Sequence, residues 1–228
     1  TPCGTLFPYT TLFRSENLLR LARRAGCLGL FIGVETLSAA NLHAVGKGFN
    51  ERDPRLRIAR IRAAGIGVIA GIIVGMDDDD TGTFERMLRY LDETSIDAIQ
   101  VNIMTPLPGT PLHDQMDRAS RVLDRDWRHY DFRHCVIQPA HMTPAELQDG
   151  ADWLYSQFYR LDRILARFAR ALVTLGPVQA WLGLRLSLTY RYDNRREGIR
   201  GRNPSRARER GAWGRLAVVP AATPQRHL

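Results

Sequence analysis

AGIGVIAGIIVGMDDD, at residues 64–79, passes within sixteen positions from a helix stop through a buried strand to an acidic loop. Gly65 suits the residue that ends a helix, because glycine enters the left-handed backbone region without a Cβ penalty. Ile66 to Val74 is continuously apolar and rich in β-branched residues, as a parallel strand covered on both sides requires. Gly71 and Gly75 allow close backbone approach at the strand's C-terminal end. Asp77 to Asp80 follow, and four consecutive acids repel a triphosphate. With neither a Gly-Lys-Ser/Thr ending nor a GxGxxG run, the stretch is no phosphate loop or dinucleotide fingerprint.

Reading outward, two further runs have the same character. Leu28 to Val34 closes on Glu35, and Ile96 to Met104 runs into Thr105-Pro-Leu-Pro-Gly-Thr-Pro111, where the prolines forbid continuation. Helical periodicity fills the gaps: Glu16 to Gly26, a short helix capped by Ser38, Pro54 to Ala64 beyond a break at Gly46-Lys47-Gly48, and Thr83 to Asp92. Strands alternating with helix-length connections predict an α/β fold with a parallel sheet, whose loops after the strands carry the site. Three strands make an incomplete sheet, so packing alone calls for further units upstream.

Beyond Pro111 the alternation stops. Asp126 to His134 is dense in aromatic and imidazole groups and reads as a lid or docking segment, and Cys135 to Ile137 is short enough for one more strand. Thr143-Pro-Ala-Glu146 is a capping box with proline at the first helical position, and amphipathic helices follow to Leu175. The uncharged run from Ala171 to Leu184 is too short to span a bilayer. After Tyr192 the chain becomes basic and aperiodic and reads as an unstructured tail.

The 228 residues carry a net charge of +8, but ten arginines from Arg191 to Arg226 against Asp193, Glu197 and Glu209 place +7 in that tail. The high isoelectric point therefore describes a tail and not a nucleic-acid-binding face, so nucleic acid is not the expected partner. Arg160, Arg163, Arg167 and Arg170 beside apolar neighbours leave peripheral contact with an anionic membrane open. Cys3, Cys27 and Cys135 form no CxxC or CxxxC set, assign no metal ligands and fit a reducing cytoplasm. The N-terminus has no signal-peptide pattern. Residues 5–15, TLFPYTTLFRS, are similar residue for residue to the translation of a common sequencing adapter, so residues 1–15 read as an assembly artefact and authentic sequence as starting near Glu16.

Glu35 is the first candidate site residue, since a carboxylate closing an apolar strand either meets a ligand or takes a partner arginine or a helix end. Gly71, Gly75 and the acids after them are the second group. Gln100 and Asn102 share parity on their strand, lining a polar interior or satisfying each other. His129, His134 and His141 have no zinc-site spacing, and no nucleophile elbow is present.

FIGVET at 31–36, GKGFN at 46–50, the stretch at 64–79, TPLPGTPL at 105–112 and WRHYDFRH at 127–134 occur in an order and spacing that resemble the second half of a B12-binding-domain-class radical SAM protein with its C-terminal extension. The likeness covers residues 16–200. It implies a partial (β/α)6 TIM-like barrel over residues 16–118, a mainly helical extension over 119–192 and a basic tail over 193–228. It also implies a 4Fe-4S cluster on a CxxxCxxC loop, whose electron cleaves S-adenosylmethionine to a 5′-deoxyadenosyl radical. Carried over residue by residue, Glu35 resembles the carboxylate ending the fourth strand. Gly71, Ile73, Gly75 and Asp78 resemble a GxIxGxxE region supporting adenine, with Asp78 for the usual Glu, and Asn102 and Met104 resemble the sixth-strand region beside it.

The cysteine triad and the cobalamin domain have no counterpart here, so the chain reads as an inactive, N-terminally truncated fragment of an enzyme that modifies a carbon centre, with cobalamin-dependent methylation among its reactions. The resemblance further implies a pigment or lipid-like small-molecule substrate and a reducing protein such as flavodoxin or ferredoxin. The alternative is a non-catalytic α/β binding or assembly protein that meets a partner or membrane surface through its arginine-rich C-terminal region.

Overall fold

The computed structural model describes residues 15–44 and 54–201. The readings of residues 1–14, of the Gly46-Lys47-Gly48 break and of the tail beyond residue 201 fall outside them. One compact unit runs to Arg191 and a second begins at Tyr192.

The first unit alternates as its apolar pattern requires: α1 (Glu16–Arg24), β1 (Gly29–Glu35), α2 (Ala39–Ala44), α3 (Pro54–Ala63), β2 (Gly67–Val74), α4 (Thr83–Glu93) and β3 (Ala98–Ile103). Gly26 and Gly65, at φ of 93° and 76°, stop α1 and α3 in the left-handed region. The strands form a three-stranded parallel sheet in the order β1-β2-β3. Then come α5 (Pro111–Arg118), a 3-10 turn (Trp127–His129), α6 (Pro144–Phe158), α7 (Leu161–Thr174) and α8 (Pro177–Gly201). The expected capping box of α6 forms, with Thr143 and Glu146 each accepting from the other's backbone N–H. Cys135 to Ile137 contributes only an isolated antiparallel bridge, Val122 to Ile137. The last helix continues to Gly201, past the point where the sequence reading leaves the tail unstructured. No helix among the described residues is long and apolar enough to cross a membrane.

The two faces of the sheet differ. Val68, Ala70, Ile72 and Val74 of β2 are fully buried, with Ile99 and Ile103 of β3 beside them, under a layer in which α3 packs on β2 and α6 packs on β3 and α4. This is the core. The opposite face carries Phe31 and Gly33 of β1, Ile69, Gly71 and Ile73 of β2, and Gln100 and Asn102 of β3, brought level by the register Gly33 to Gly71 to Gln100 and Ile73 to Asn102. It is half open: Phe31 is 57% exposed and Gln100 is exposed, while Ile69, Ile73 and Asn102 are partly buried.

The outer edge of β3 is closed by the C-terminal helices' side of the molecule. The buried hydroxyl of Tyr159 accepts from Ile99 N–H at 3.0 Å and donates to Ile99 C=O at 2.9 Å, and Ile103 N–H donates to Phe132 C=O at 2.7 Å. An edge strand so capped has no ladder groups at these positions for another strand.

Candidate functional site

The C-terminal ends of the strands gather the expected residues along one rim. β1 ends in a bulge, because Gly33 pairs with Gly71 and Glu35, two residues on, pairs with Ile72. Glu35 sits at φ 62° while Thr36 N–H donates to Val34 C=O at 2.9 Å, so it is the centre of a γ-turn of the strained hand. A non-glycine residue there costs on the order of 1–3 kcal/mol, a strain characteristic of functional sites. The turn leaves Glu35 half-buried beside the end of β2.

The four acids after β2, adjacent in sequence, are separated by their partners. Asp77 pairs with Arg121 at 2.7 Å, and Asp80 with Arg86 at 2.7 Å. Asp78 is exposed; its carboxylate accepts from Ser38 Oγ at 2.5 Å, and its N–H donates to Asn41 Oδ1 at 3.1 Å. Asp79 turns inward. Only 2% exposed, it accepts from Gly75 N–H at 2.9 Å, Met76 N–H at 3.0 Å and Asn41 Nδ2 at 3.1 Å. Ser38 Oγ also accepts from Asn41 N–H at 3.2 Å, capping α2 as the sequence suggests. Ser38 and Asn41 thus tie the loop after β1 to the loop after β2.

Asp79 and Asn41 were not singled out from the sequence. Nothing in a run of four identical acids marks the one that turns inward, because the choice is made by the turn that carries Asp79 N–H to Met76 C=O. Burial pushes the Asp79 carboxyl up to about 6 from 3.8, against the backbone N–H groups of Met76 and Gly75, which favour the charged form. A carboxyl whose folded pKa lies above its unfolded one takes stability away as pH rises through that interval. The contribution is therefore most favourable below pH 4 and is lost between pH 4 and 6, by about 2–3 kcal/mol in total. Urea unfolding of the native chain and Asp79→Asn across pH 4–7 checks this: the native-minus-variant difference should fall across that window, and a flat difference would refute it.

Asn102 lies on the half-open face level with Ile73, and buried Met104 donates its N–H to Val74 C=O at 2.8 Å. Gly71 and Ile73 lie within β2 on the half-open face, and Gly75 and Asp78 follow it in the loop. For two glycines the freed space is taken by protein. A Cβ on Gly71 would come within 2.8 Å of the Phe31 ring, and one on Gly75, at φ 91°, within 2.6 Å of Leu147.

The segment after α5 reaches this rim through the Phe132 carbonyl on Ile103. In it His129 Nδ1 faces Asp124 at 2.5 Å, His134 Nδ1 faces Asp131 at 2.9 Å, and the two rings lie 5.0 Å apart. Cys135 is buried, and burial pushes its thiol up to about 11, so it stays protonated and packs as a small apolar group. Cys27 is the other cysteine among the described residues, and among these no three His, Cys, Asp or Glu side chains are gathered so as to hold a metal ion. The rim combines a half-buried carboxylate, a half-open sheet face on which Gln100 and Asn102 stand beside apolar and glycine residues, and a loop held by a buried acid.

No protein-family model matches the chain. Over 116 residues, 50% of its length, it is 35% identical to the hopanoid C-2 methylase of Rhodopseudomonas palustris, covering 22% of that protein. Over 155 residues, 68% of its length, it is 28% identical to the bacteriochlorophyllide d C-12(1)-methyltransferase of Chlorobaculum tepidum, covering 34% of it. Over 150 residues, 66% of its length, it is 29% identical to the anaerobic magnesium-protoporphyrin IX monomethyl ester cyclase of Cereibacter sphaeroides, covering 24% of it. The chain thus spans between about a fifth and a third of the relatives it matches.

Proposed function

We propose that this chain is the closing portion of a B12-binding-domain-class radical SAM enzyme that cleaves S-adenosylmethionine reductively and modifies a carbon centre, a reading supported by its likeness to the methylases and the cyclase. Residues 16–118 are then the last strands of a (β/α)6 barrel, residues 119–192 its helical extension and residues 193–228 a basic tail. The observation that carries the reading is the half-open sheet face. A parallel sheet is ordinarily covered on both sides, and here one side offers Gly33, Gln100, Asn102 and an exposed Phe31, with Glu35 at the end of β1.

In this reading Glu35, the backbone from Gly71 through Ile73 to Gly75, Asp78, Asn102 and Met104 border the nucleoside end of S-adenosylmethionine. Glu35 and Asn102 accept from its hydroxyl, amino or ammonium groups, while Asp79, through the Gly75 and Met76 amides, keeps the loop in shape. A 4Fe-4S cluster held by cysteines of the parent upstream of residue 16 would supply the electron. The methylases and cyclase among the relatives support a carbon-modifying reaction on a pigment or lipid-like molecule, with cobalamin as methyl carrier where the product is methylated. A flavodoxin or ferredoxin in the cytoplasm is the fitting reductant.

The test is made on the parent gene product. Its reading frame upstream of residue 16 should contain CxxxCxxC. After anaerobic reconstitution and reduction it should release 5′-deoxyadenosine from S-adenosylmethionine, and Glu35→Gln should weaken S-adenosylmethionine binding about tenfold, the loss of one charge-assisted hydrogen bond. A parent without the motif, or one that yields no 5′-deoxyadenosine with a full cluster complement, overturns the proposal.

A further inference from the structure

A surface helix ordinarily buries its apolar side and shows its polar one; α8 does the reverse. Gln179 and Ser187 are buried, with Gln179 Nε2 donating to Gly65 C=O at 3.3 Å, while Val178, Trp181, Leu182 and Leu188 are exposed. Helical spacing puts these four and Arg185 on one side, and Trp181 at their centre is 58% exposed.

Trp181 carries the surface across to α7. Its ring meets that of Phe168 edge-on with 5.2 Å between centroids, and exposed Leu165 and Leu172 lie a turn before and a turn after Phe168. Beneath this contact Ala171, Leu175 and Ala180 form a small apolar cluster that joins the two helices. The apolar surface is thus built on a packed base and is continuous over both.

Charge decides what meets it. From Arg160 to the C-terminus the chain has fifteen arginines against Asp162, Asp193, Glu197 and Glu209, a net +11, whereas residues 1–159 hold a net −3. Two copies meeting here would bring like charges together, and RNA would take the arginines but leave the leucines and valine in water. An anionic lipid surface takes both, since its phosphates attract arginine and its acyl boundary receives apolar side chains. Arg185 stands within the apolar face, where its stem can lie among acyl chains and its head among phosphates. Arg163 and Arg167 are committed to the fold, the first paired with Asp92 and the second stacked on Phe158.

We infer that the exposed face of α7 and α8 lies on an anionic membrane surface, with Trp181 and Leu182 as its anchors. No described helix is long and apolar enough to cross a membrane, so the contact is in the plane of the interface. It stands independently of the S-adenosylmethionine reading.

Sedimentation of the 228-residue chain with vesicles at low ionic strength tests this. The chain should pellet with vesicles of phosphatidylcholine carrying about a third phosphatidylglycerol, and about tenfold less with phosphatidylcholine alone. Trp181→Gln and Leu182→Gln, both at exposed positions, should each weaken partitioning about tenfold, the loss of one large apolar side chain from the lipid boundary. Leu56→Gln, which removes an exposed leucine of α3, should leave it unchanged. Failure to bind the anionic vesicles overturns the inference, as does equal binding to the neutral ones. So does binding that Trp181→Gln and Leu182→Gln leave intact, which would belong to the arginine-rich tail alone. Self-association in lipid-free buffer that these two variants abolish would make a second copy the occupant and overturn it as well.

Discussion

Gly75→Ala is expected to destabilise the fold by about 2–4 kcal/mol, and Leu147→Ala to recover part of that loss when the two are combined. Gly75 follows the last residue of β2 at φ 91°, where an L-residue costs roughly 1–2 kcal/mol. Its Cβ would also lie 2.6 Å from Cδ2 of Leu147, a fully buried side chain of α6. Overpacking of this kind adds about 1–3 kcal/mol. Leu147→Ala alone should cost about 2–5 kcal/mol by leaving a cavity. In the double variant the new methyl occupies part of that cavity, so the two losses should fall short of their sum by about 1–2 kcal/mol. The backbone part of the Gly75 cost has no such relief. Urea unfolding of the four proteins in the cycle measures it, and strict additivity would mean that Gly75 and Leu147 do not meet.

This changes the reason for glycine at that position. Read from sequence alone, Gly75 is where a ligand approaches the backbone. The structure fills the freed space with Leu147 and commits the Gly75 N–H to Asp79. What Gly75 can still offer a ligand is its carbonyl and the rigidity of the loop. Gly71 is similar, since the Phe31 ring lies over it, but Phe31 is 57% exposed on the half-open face and has room to turn aside. A ligand approaching Gly71 therefore has to displace a side chain, whereas one approaching Gly75 would have to displace a helix.

The strands and their order of appearance were legible because buried parallel strands are unbroken apolar runs, and Ile66 to Val74 has no other reading. Helix ends were legible wherever a chemical cap marks them, as at Gly26, Gly65 and Thr143-Pro144. Glu35 came forward as a carboxylate closing an apolar run, Asp78 as one of the acids after β2, and Asn102 by sharing parity with Gln100. Asp79 was hidden because its burial depends on a turn and on Asn41, a residue 38 positions away. The burial of the Arg167 guanidinium was hidden for a similar reason. On a helical wheel Arg167 looks like its neighbours Arg163 and Arg170, and only the aromatic side chains of Phe158 and Tyr159 beneath it make it a buried charge.

Tyr159→Phe should cost about 2–4 kcal/mol although it removes a single oxygen. The hydroxyl bonds both backbone groups of one residue, accepting from Ile99 N–H and donating to Ile99 C=O. Burial raises its pKa well above 10, so the proton needed for the second bond is in place throughout the neutral range. The ring stays packed in the variant, 4.8 Å from Tyr155, 5.0 Å from Phe158 and 5.5 Å from Tyr190 by centroids, so the loss isolates the hydrogen bonds. Each orphaned backbone group at a buried edge costs about 1–3 kcal/mol. Hydrogen exchange should locate the effect: the Ile99 amide should lose protection, while the Ile103 amide, held by the Phe132 carbonyl, should change less. A cost below about 0.5 kcal/mol would show that Tyr159 does not hold this edge. If the cost is as large as expected, Tyr159 seals β3 where another strand would pair. A further strand could then pair with this sheet only beside β1.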